Sequence, residues 1–262
     1  MPVIEVNGLR KEYGSGAEAV VAVEGLDLGI EAGEVFGFLG PNGAGKSTTI
    51  NMLLDFVRPT AGSATILGRD VTDASEALRR HVGVLPEGVG LYGRLTGRRH
   101  LEFAVDWNDA ADDPDDVLAR VGLSEADAVR PVGDYSRGMQ QRLALGMAIV
   151  GDPDVLILDE PSSGLDPHGI QQMRELVREE AARGTTVFVS SHILGEVEAV
   201  CDRVGILHEG ALVAVDDVDS LRRRVGAGAD VLDVDSESPS LEDVFTAYTT
   251  ADEAPRERGV VA

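Results

Sequence analysis

The sequence is short of lysine and cysteine and has no long apolar run. Only Lys11 and Lys46 are lysines; the other basic residues are arginines, set against 46 acids for a net charge of −23. So acidic a surface repels nucleic acid and anionic lipid, which excludes both as primary partners. Excess carboxylate with little lysine is also expected of a halophilic protein, because dense salt screens the self-repulsion. The single cysteine, Cys201, excludes an intrachain disulfide, and no Cys/His cluster has metal-ligand spacing. Cys201 reads as a small buried apolar residue. No stretch approaches the ~18 apolar residues of a membrane span. Met1-Pro-Val-Ile-Glu-Val6 lacks the basic and apolar parts of a signal peptide, so a soluble, cytoplasmic protein is expected. With 262 residues, 43% of them hydrophobic, the chain suits one large domain or one domain with a small appendage.

What is present is organised around Gly40, Pro41, Asn42, Gly43, Ala44, Gly45, Lys46, Ser47 and Thr48. Gly40, four residues, then Gly45-Lys46-Ser47 is the spacing of a phosphate-binding loop. An apolar strand pattern, Val35 to Leu39, precedes it. A helical pattern from Lys46 to Val57 follows, with apolar Ile50, Leu53, Leu54 and Val57. Glycines let backbone N–H groups converge on an anion, a helix start adds its positive dipole end, and Lys46 adds a full charge. Ser47 offers the hydroxyl oxygen that Mg²⁺ prefers. The pattern does not choose between ATP and GTP.

Along the rest of the chain, Val3 to Val6 and Leu26, Leu28 and Ile30 alternate as antiparallel strands do, with Tyr13 in the loop between. Tyr13 is either a stacking platform for a base or an exposed loop tyrosine. Arg58 to Gly62 reads as a turn and Ala64 to Leu67 as a returning strand. From Glu87 to Gly151 the pattern becomes short amphipathic helices, and Asp109 to Asp116 an acidic solvated loop. Ser136 can cap the helix carrying Met139, Leu143, Met147 and Val150, or that helix start can face a phosphate. Val155 to Leu158 is a fully apolar strand ending in Asp159 and Glu160. Acids at a strand's carboxyl end in an open α/β sheet, beside a phosphate loop, suit Mg²⁺ held through Asp159 and a water oriented or deprotonated by Glu160. Asp166-Pro167 opens another helix. Thr185 to Val189 leads to Ser190-Ser191-His192, where His192 is structural or reaches a terminal phosphate. Val204 to Leu207 and Leu212 to Val215 form a hairpin. Beyond Asp216 lies an acidic appendage with one amphipathic segment, Leu241 to Phe245, and disorder is expected from about Asp252.

Together these stretches resemble the nucleotide-binding subunit of ABC transporters over about residues 3 to 216. The resemblance implies a P-loop α/β fold with an antiparallel β subdomain, a helical subdomain inserted at about 88–151, and a small extension over 217–262. It implies ATP and Mg²⁺ as cofactors, Tyr13 as the adenine-stacking aromatic, and Lys46, Glu160 and His192 as catalytic residues, with Asp159 on the metal. Ser163, Gly164, Leu165 and Asp166 resemble the D-loop. Ser136, Arg137, Gly138, Met139 and Gln140 resemble the signature motif, which acts on the nucleotide of a second copy. A homodimer and a membrane permease are the implied partners, the chain lying on the inner face of the membrane through the permease. Glu87, near the helical subdomain, stands where the family has its Q-loop glutamine; it is a further candidate metal ligand and marks the surface that receives the permease.

Two departures mark the sequence. Glu87 replaces glutamine, and Arg137 replaces the first glycine of the signature, while Ser136 and Gly138 are kept. With the Ser240 to Phe245 element, these changes resemble the subgroup that drives ABC-2-type exporters, including the daunorubicin-resistance type. A soluble ABC ATPase that assembles or remodels complexes is the alternative.

Overall fold

In the computed structural model, residues 2–88, 90–227 and 241–250 are described. The expectation of disorder from about Asp252, and Ser240 of the carboxyl-terminal element, fall outside them. In chain order the elements are β1 (Ile4–Tyr13), β2 (Val20–Ile30), β3 (Val35–Leu39), α1 (Lys46–Leu53), β4 (Ala61–Ile66), β5 (Arg69–Asp70), α2 (Ser75–Leu78) and β6 (Val82–Leu85). There follow α3 (Gly97–Asn108), α4 (Pro114–Arg120), α5 (Glu125–Ala128), α6 (Arg137–Ile149), β7 (Val155–Asp159), α7 (Pro167–Ala182) and β8 (Thr186–Ser191). The last are α8 (Leu194–Val200), β9 (Arg203–His208), β10 (Ala211–Asp217), α9 (Val218–Ala227) and α10 (Leu241–Thr250).

The strands make two sheets. One has the order β2-β1-β4-β5 and is antiparallel; the other has the order β10-β9-β3-β8-β7-β6, parallel from β9 to β6 with β10 antiparallel at its edge. Period-two alternation sends successive side chains of the parallel strands to opposite faces. Phe36, Phe38, Val155, Ile157 and Phe188 face the antiparallel sheet and α1, packing with Ile4, Leu26, Ile30, Ile50 and Met52. Leu156, Leu158, Val187 and Val189 face the other way, towards Leu101, Leu118, Leu143 and Met173 of the helices. Because both faces are covered, β3, β7 and β8 are buried along their whole length and read as unbroken apolar stretches, Val35 to Leu39, Val155 to Leu158 and Val187 to Val189, rather than as alternating ones.

Four local differences from the sequence reading have physical causes. Tyr13 ends β1, paired with Val20, because the β1–β2 ladder continues past the expected turn through register shifts. Helix α1 stops at Leu53 rather than Val57, where Asp55 adopts φ +58° and turns the chain, leaving Phe56 exposed. Beyond Asp216 the described residues hold two helices, not one. Leu221 of α9 and Val244 of α10 are buried with Leu39, Val197, Val204 and Ile206 of the large sheet and α8, so this segment shares a core with the strand that leads into the phosphate loop. Cys201 is half-buried, its thiol against Gly37 of β3, and burial pushes its pKa up.

The helices α3 to α6 lie within the stretch expected to be helical. Their joint to the rest of the chain includes an ion pair between Arg120 of α4 and Glu180 of α7, whose carboxyl is almost wholly buried. Burial holds that carboxyl above its ordinary range, outweighing the pull of Arg120.

Candidate functional site

The carboxyl ends of β3, β7 and β8 lie side by side, with Leu39 opposite Ser191 and Asp159 opposite Ser190. The segments after these strands therefore converge at the place where open α/β sheets bind ligands.

After β3 the chain turns through the glycine-rich loop. Gly43 and Gly45 have φ of +85° and +108°, which L side chains rarely adopt. A Cβ at Gly45 would lie 2.4 Å from the carbonyl oxygen of Ala22, and one at Gly40 2.6 Å from that of Leu207. The loop is thus packed against β2 and β9 on one side while Pro41, Asn42 and Gly43 face solvent. Gly45 leads into α1 without any side-chain cap, so the first N–H groups of the helix have no side chain as acceptor among the described residues. This arrangement suits an anion.

Lys46, at the start of α1, is buried. Its ammonium donates to the carbonyl oxygens of Gly40 at 2.8 Å and Pro41 at 3.4 Å, and lies 3.2 Å from Oε1 of Glu160. Glu160 follows β7 with φ +49°, uncommon for a residue with a long side chain. Its N–H donates to both the carbonyl and the hydroxyl oxygen of Ser190, at 3.2 and 3.1 Å, which fixes the turn. Oε2 of Glu160 stands 2.8 Å from Nδ1 of His192, a half-exposed side chain just past β8. One carboxylate therefore joins the phosphate loop, the end of β7 and the end of β8. Oε1 of Glu160 is buried and has no hydrogen-bond partner of good geometry among the described residues, despite its proximity to Lys46. Removing Lys46 would leave this carboxylate uncompensated, a change that costs about 3–5 kcal/mol for a buried pair.

Asp159 is buried and accepts a hydrogen bond from the Ser190 hydroxyl. Ser47 is half-buried at the first turn of α1. A hydroxyl and a carboxylate are hard oxygen donors, and so small a set suits Mg²⁺, which keeps several waters and takes the rest of its ligands from phosphates. Glu87 sits two residues beyond β6, the neighbour of β7, is exposed, and makes no hydrogen bond or ion pair among the described residues. Tyr13 is 43% exposed with the Lys11 ammonium 5.0 Å from its ring centre. Its partner Val20 lies three residues before Val23, which touches Gly45, so Tyr13 is on the order of 10 Å along the strand from the loop.

Ser136 and Arg137 are exposed at the start of α6, with Gly138, Met139 and Gln140 half-buried. The Ser136 hydroxyl accepts from the Met139 N–H at 3.2 Å, so it does cap the helix. A methyl on Gly164 would meet Cδ of Arg137 at 3.6 Å, and one on Gly138 would meet Leu165 at 3.5 Å, so the helix start packs on the Ser163 to Asp166 turn. Asp166 accepts from the Gly169 N–H and caps α7, with Pro167 in its first turn. Pattern reading missed the buried residues that hold these segments: Ser190, and Gln141, whose amide donates to the Pro161 carbonyl at 3.0 Å. Ser190 had only its place at the end of an apolar strand, before Ser191-His192, as a signal, and Gln141 was a polar residue on an otherwise apolar helix face.

On another side a groove of about 450 Å³ runs between the end of α1, β6, α3 and α6. Phe56, Phe103 and Trp107 line it and are more than half exposed, with the Phe103 and Trp107 rings stacked 6.2 Å apart.

A glycine cradle, a buried lysine and a carboxylate pair at the end of a parallel sheet define a P-loop nucleotide-binding protein. A sequence model of the ABC transporter family matches residues 23–163, and the chain belongs to that family as an ATP-binding, ATP-hydrolysing subunit. It is 40% identical over 228 residues to the bacitracin transport ATP-binding protein of Bacillus licheniformis, covering 85% of this chain and 72% of that one. It is 37% identical over 229 residues to the daunorubicin/doxorubicin resistance ATP-binding protein of Streptomyces peucetius, covering 86% and 68%. A solved ATP-binding subunit of an ABC transporter superimposes with a TM-score of 0.80 at 30% identity, covering 94% of this chain and 99% of that one.

Proposed function

We propose that the chain powers an ABC-2-type exporter as one of two identical subunits that close on MgATP. The observation that carries the hydrolytic part of this reading is the contact of Glu160 with both Lys46 and His192 at the mouth of the phosphate loop. In the proposed site the loop from Gly40 to Thr48 holds the phosphates, Lys46 neutralises the outer ones, and Tyr13 stacks on adenine. Ser47 and Asp159, with Glu87 as a further candidate, would hold Mg²⁺, which would offset charge on the phosphates. Glu160 takes a proton from the attacking water as the bond to the terminal phosphate breaks, giving ADP and inorganic phosphate, and His192 contacts that phosphate. The second subunit presents Ser136, Arg137, Gly138, Met139 and Gln140, the first two of them exposed here, and its D-loop turn. ATP then favours the closed pair because both subunits bind it, and its hydrolysis releases them.

Export is supported by the names of the relatives, which include a fluoroquinolones export ATP-binding protein of Mycobacterium tuberculosis at 39% identity. Among the described residues no helix is long and apolar enough to cross a membrane. A permease docked in the aromatic groove, beside the segment that carries Glu87, would hold the chain peripherally at the cytoplasmic face. In Glu160→Gln, which keeps the shape and loses the base, ATP is expected to bind while hydrolysis falls at least about 100-fold. That variant should elute as a dimer with ATP and as a monomer without it. A Glu160→Gln protein that turns over at the wild-type rate, or stays monomeric at saturating MgATP, overturns the assignment.

The same reading includes a salt-rich cytoplasm. With a net charge of −23, the melting temperature is expected to rise by roughly 10 °C or more between dilute buffer and molar KCl. A melting temperature indifferent to KCl removes that element.

A further inference from the structure

Glu196 of α8 is a buried carboxyl to which the proposed hydrolysis assigns no role. Its Oε2 accepts from the Ser191 hydroxyl at 3.3 Å, and the same hydroxyl oxygen accepts from the Ile193 N–H at 3.0 Å, so Glu196 grips the turn that carries His192. The hydroxyl of Ser162, two residues after Glu160 and just before the Ser163 to Asp166 turn, also acts on this carboxyl, holding its pKa down against burial. Oε1 of Glu196 has no partner of good geometry among the described residues, nor has Nε of the nearby Arg174, whose guanidinium donates to the Gly195 carbonyl at 3.0 Å. Burial and the charge of Glu160 raise the Glu196 pKa, while the two serines and Arg174 oppose that rise.

Resting on the ATPase reading, we propose that Glu196 is a positioning residue for hydrolysis, tying the D-loop segment at Ser162 to the His192 turn at Ser191. The chains after β7 and β8 carry the two groups, Glu160 and His192, that meet at 2.8 Å. Holding both chains from behind, Glu196 fixes their separation. Displacement of the Ser163 to Asp166 turn by a second subunit is passed through Ser162 and Glu196 to His192 and Glu160. Backbone bonds contribute to the same frame: Ser163 N–H to the Glu160 carbonyl at 3.0 Å, and Glu160 N–H to Ser190. Glu196, however, offers one side chain to serines on both segments.

The test is steady-state ATPase kinetics on the full chain with MgATP, for wild type, Glu196→Ala, Glu196→Gln, Ser162→Ala and Ser162→Ala/Glu196→Ala. Glu196→Ala is expected to lower kcat about ten-fold with KM for MgATP within about two-fold, since it touches no substrate. Glu196→Gln keeps an acceptor oxygen and should return to within about three-fold of wild type. Ser162→Ala should slow turnover, and the double variant should be no slower than the slower single one, because both break one link. The Gln and Ser162 variants carry the test if Glu196→Ala does not fold. A kcat for Glu196→Ala within about two-fold of wild type, a loss in KM alone, or losses that multiply in the double variant overturn the proposal. Wild-type protein without ATPase activity overturns the parent reading; active wild type with an indifferent Glu196→Ala overturns this one alone.

Discussion

Two helix starts in this chain carry sequences tied to phosphate, and they are finished differently. Helix α1 begins at Lys46 with no side-chain cap, a left-handed glycine before it and a buried ammonium inside it. Helix α6 begins at Arg137 with the Ser136 hydroxyl already bonded to its third N–H and its first residues exposed. The first start is incomplete by itself, its orphan donors left without a side-chain cap. The second has one of its donors already satisfied by its own cap and faces solvent. The difference suits one start that grips a nucleotide within the subunit and another that meets one from outside. Nucleotide affinity should therefore reside at α1, with α6 contributing to turnover.

The sharpest way to break this comparison is Lys46→Ala. The buried lysine is the one full charge in the cradle, and its loss also leaves Glu160 facing His192 alone. ATP affinity of the isolated chain, read by equilibrium titration, is expected to fall about 100-fold, or about 2.8 kcal/mol. Affinity within about three-fold of wild type would mean that the α1 start is not the principal grip.

Next in size is Gly45→Ala. The added Cβ would stand 2.4 Å from the Ala22 carbonyl oxygen, at a φ of +108°. Since that oxygen belongs to the backbone of β2 and cannot swing aside, the loop must shift, costing about 1–3 kcal/mol of stability. ATP affinity should drop about ten-fold or more alongside a lowered melting temperature. An unchanged affinity would show that the cradle tolerates displacement from β2.

Much of this arrangement is legible in the amino-acid sequence. The phosphate loop between strand and helix, the apolar β7 ending in acids, and the Asp166-Pro167 helix start are local patterns, and each lies where its residues predict. What escapes the sequence depends on contacts between distant segments. Ser190 and Asp159 are 31 residues apart, Glu160 and His192 are 32 apart, and nothing in either neighbourhood marks the pairing. The left-handed φ of Glu160 is set by the bifurcated bond to Ser190, again across β7 and β8. The helix α9 is hidden by its short and largely polar pattern, in which one aspartate and three arginines leave few apolar residues, Leu221 among them, to anchor it to the sheet. Tyr13, Ser136 and His192 are ambiguous by pattern because a cap, a loop tyrosine and a lone histidine serve structure and chemistry equally well.

The smallest effect tests the other side of the comparison. Ser136→Ala removes the cap of α6, a loss of about 1 kcal/mol that should lower the melting temperature by roughly 2–4 °C. If α6 serves a nucleotide held by a second subunit, ATP affinity of the isolated chain stays within about two-fold of wild type while turnover per subunit falls about ten-fold. Stability, affinity and turnover thus respond to one hydroxyl by different amounts. A cap alone would change the melting temperature and leave turnover intact, since Gln141 and Leu143 still anchor the helix to the Pro161 carbonyl and the helical core. A tenfold loss of affinity in the isolated chain would instead place the α6 start at its own subunit's nucleotide, and the division of labour between the two helix starts would not hold.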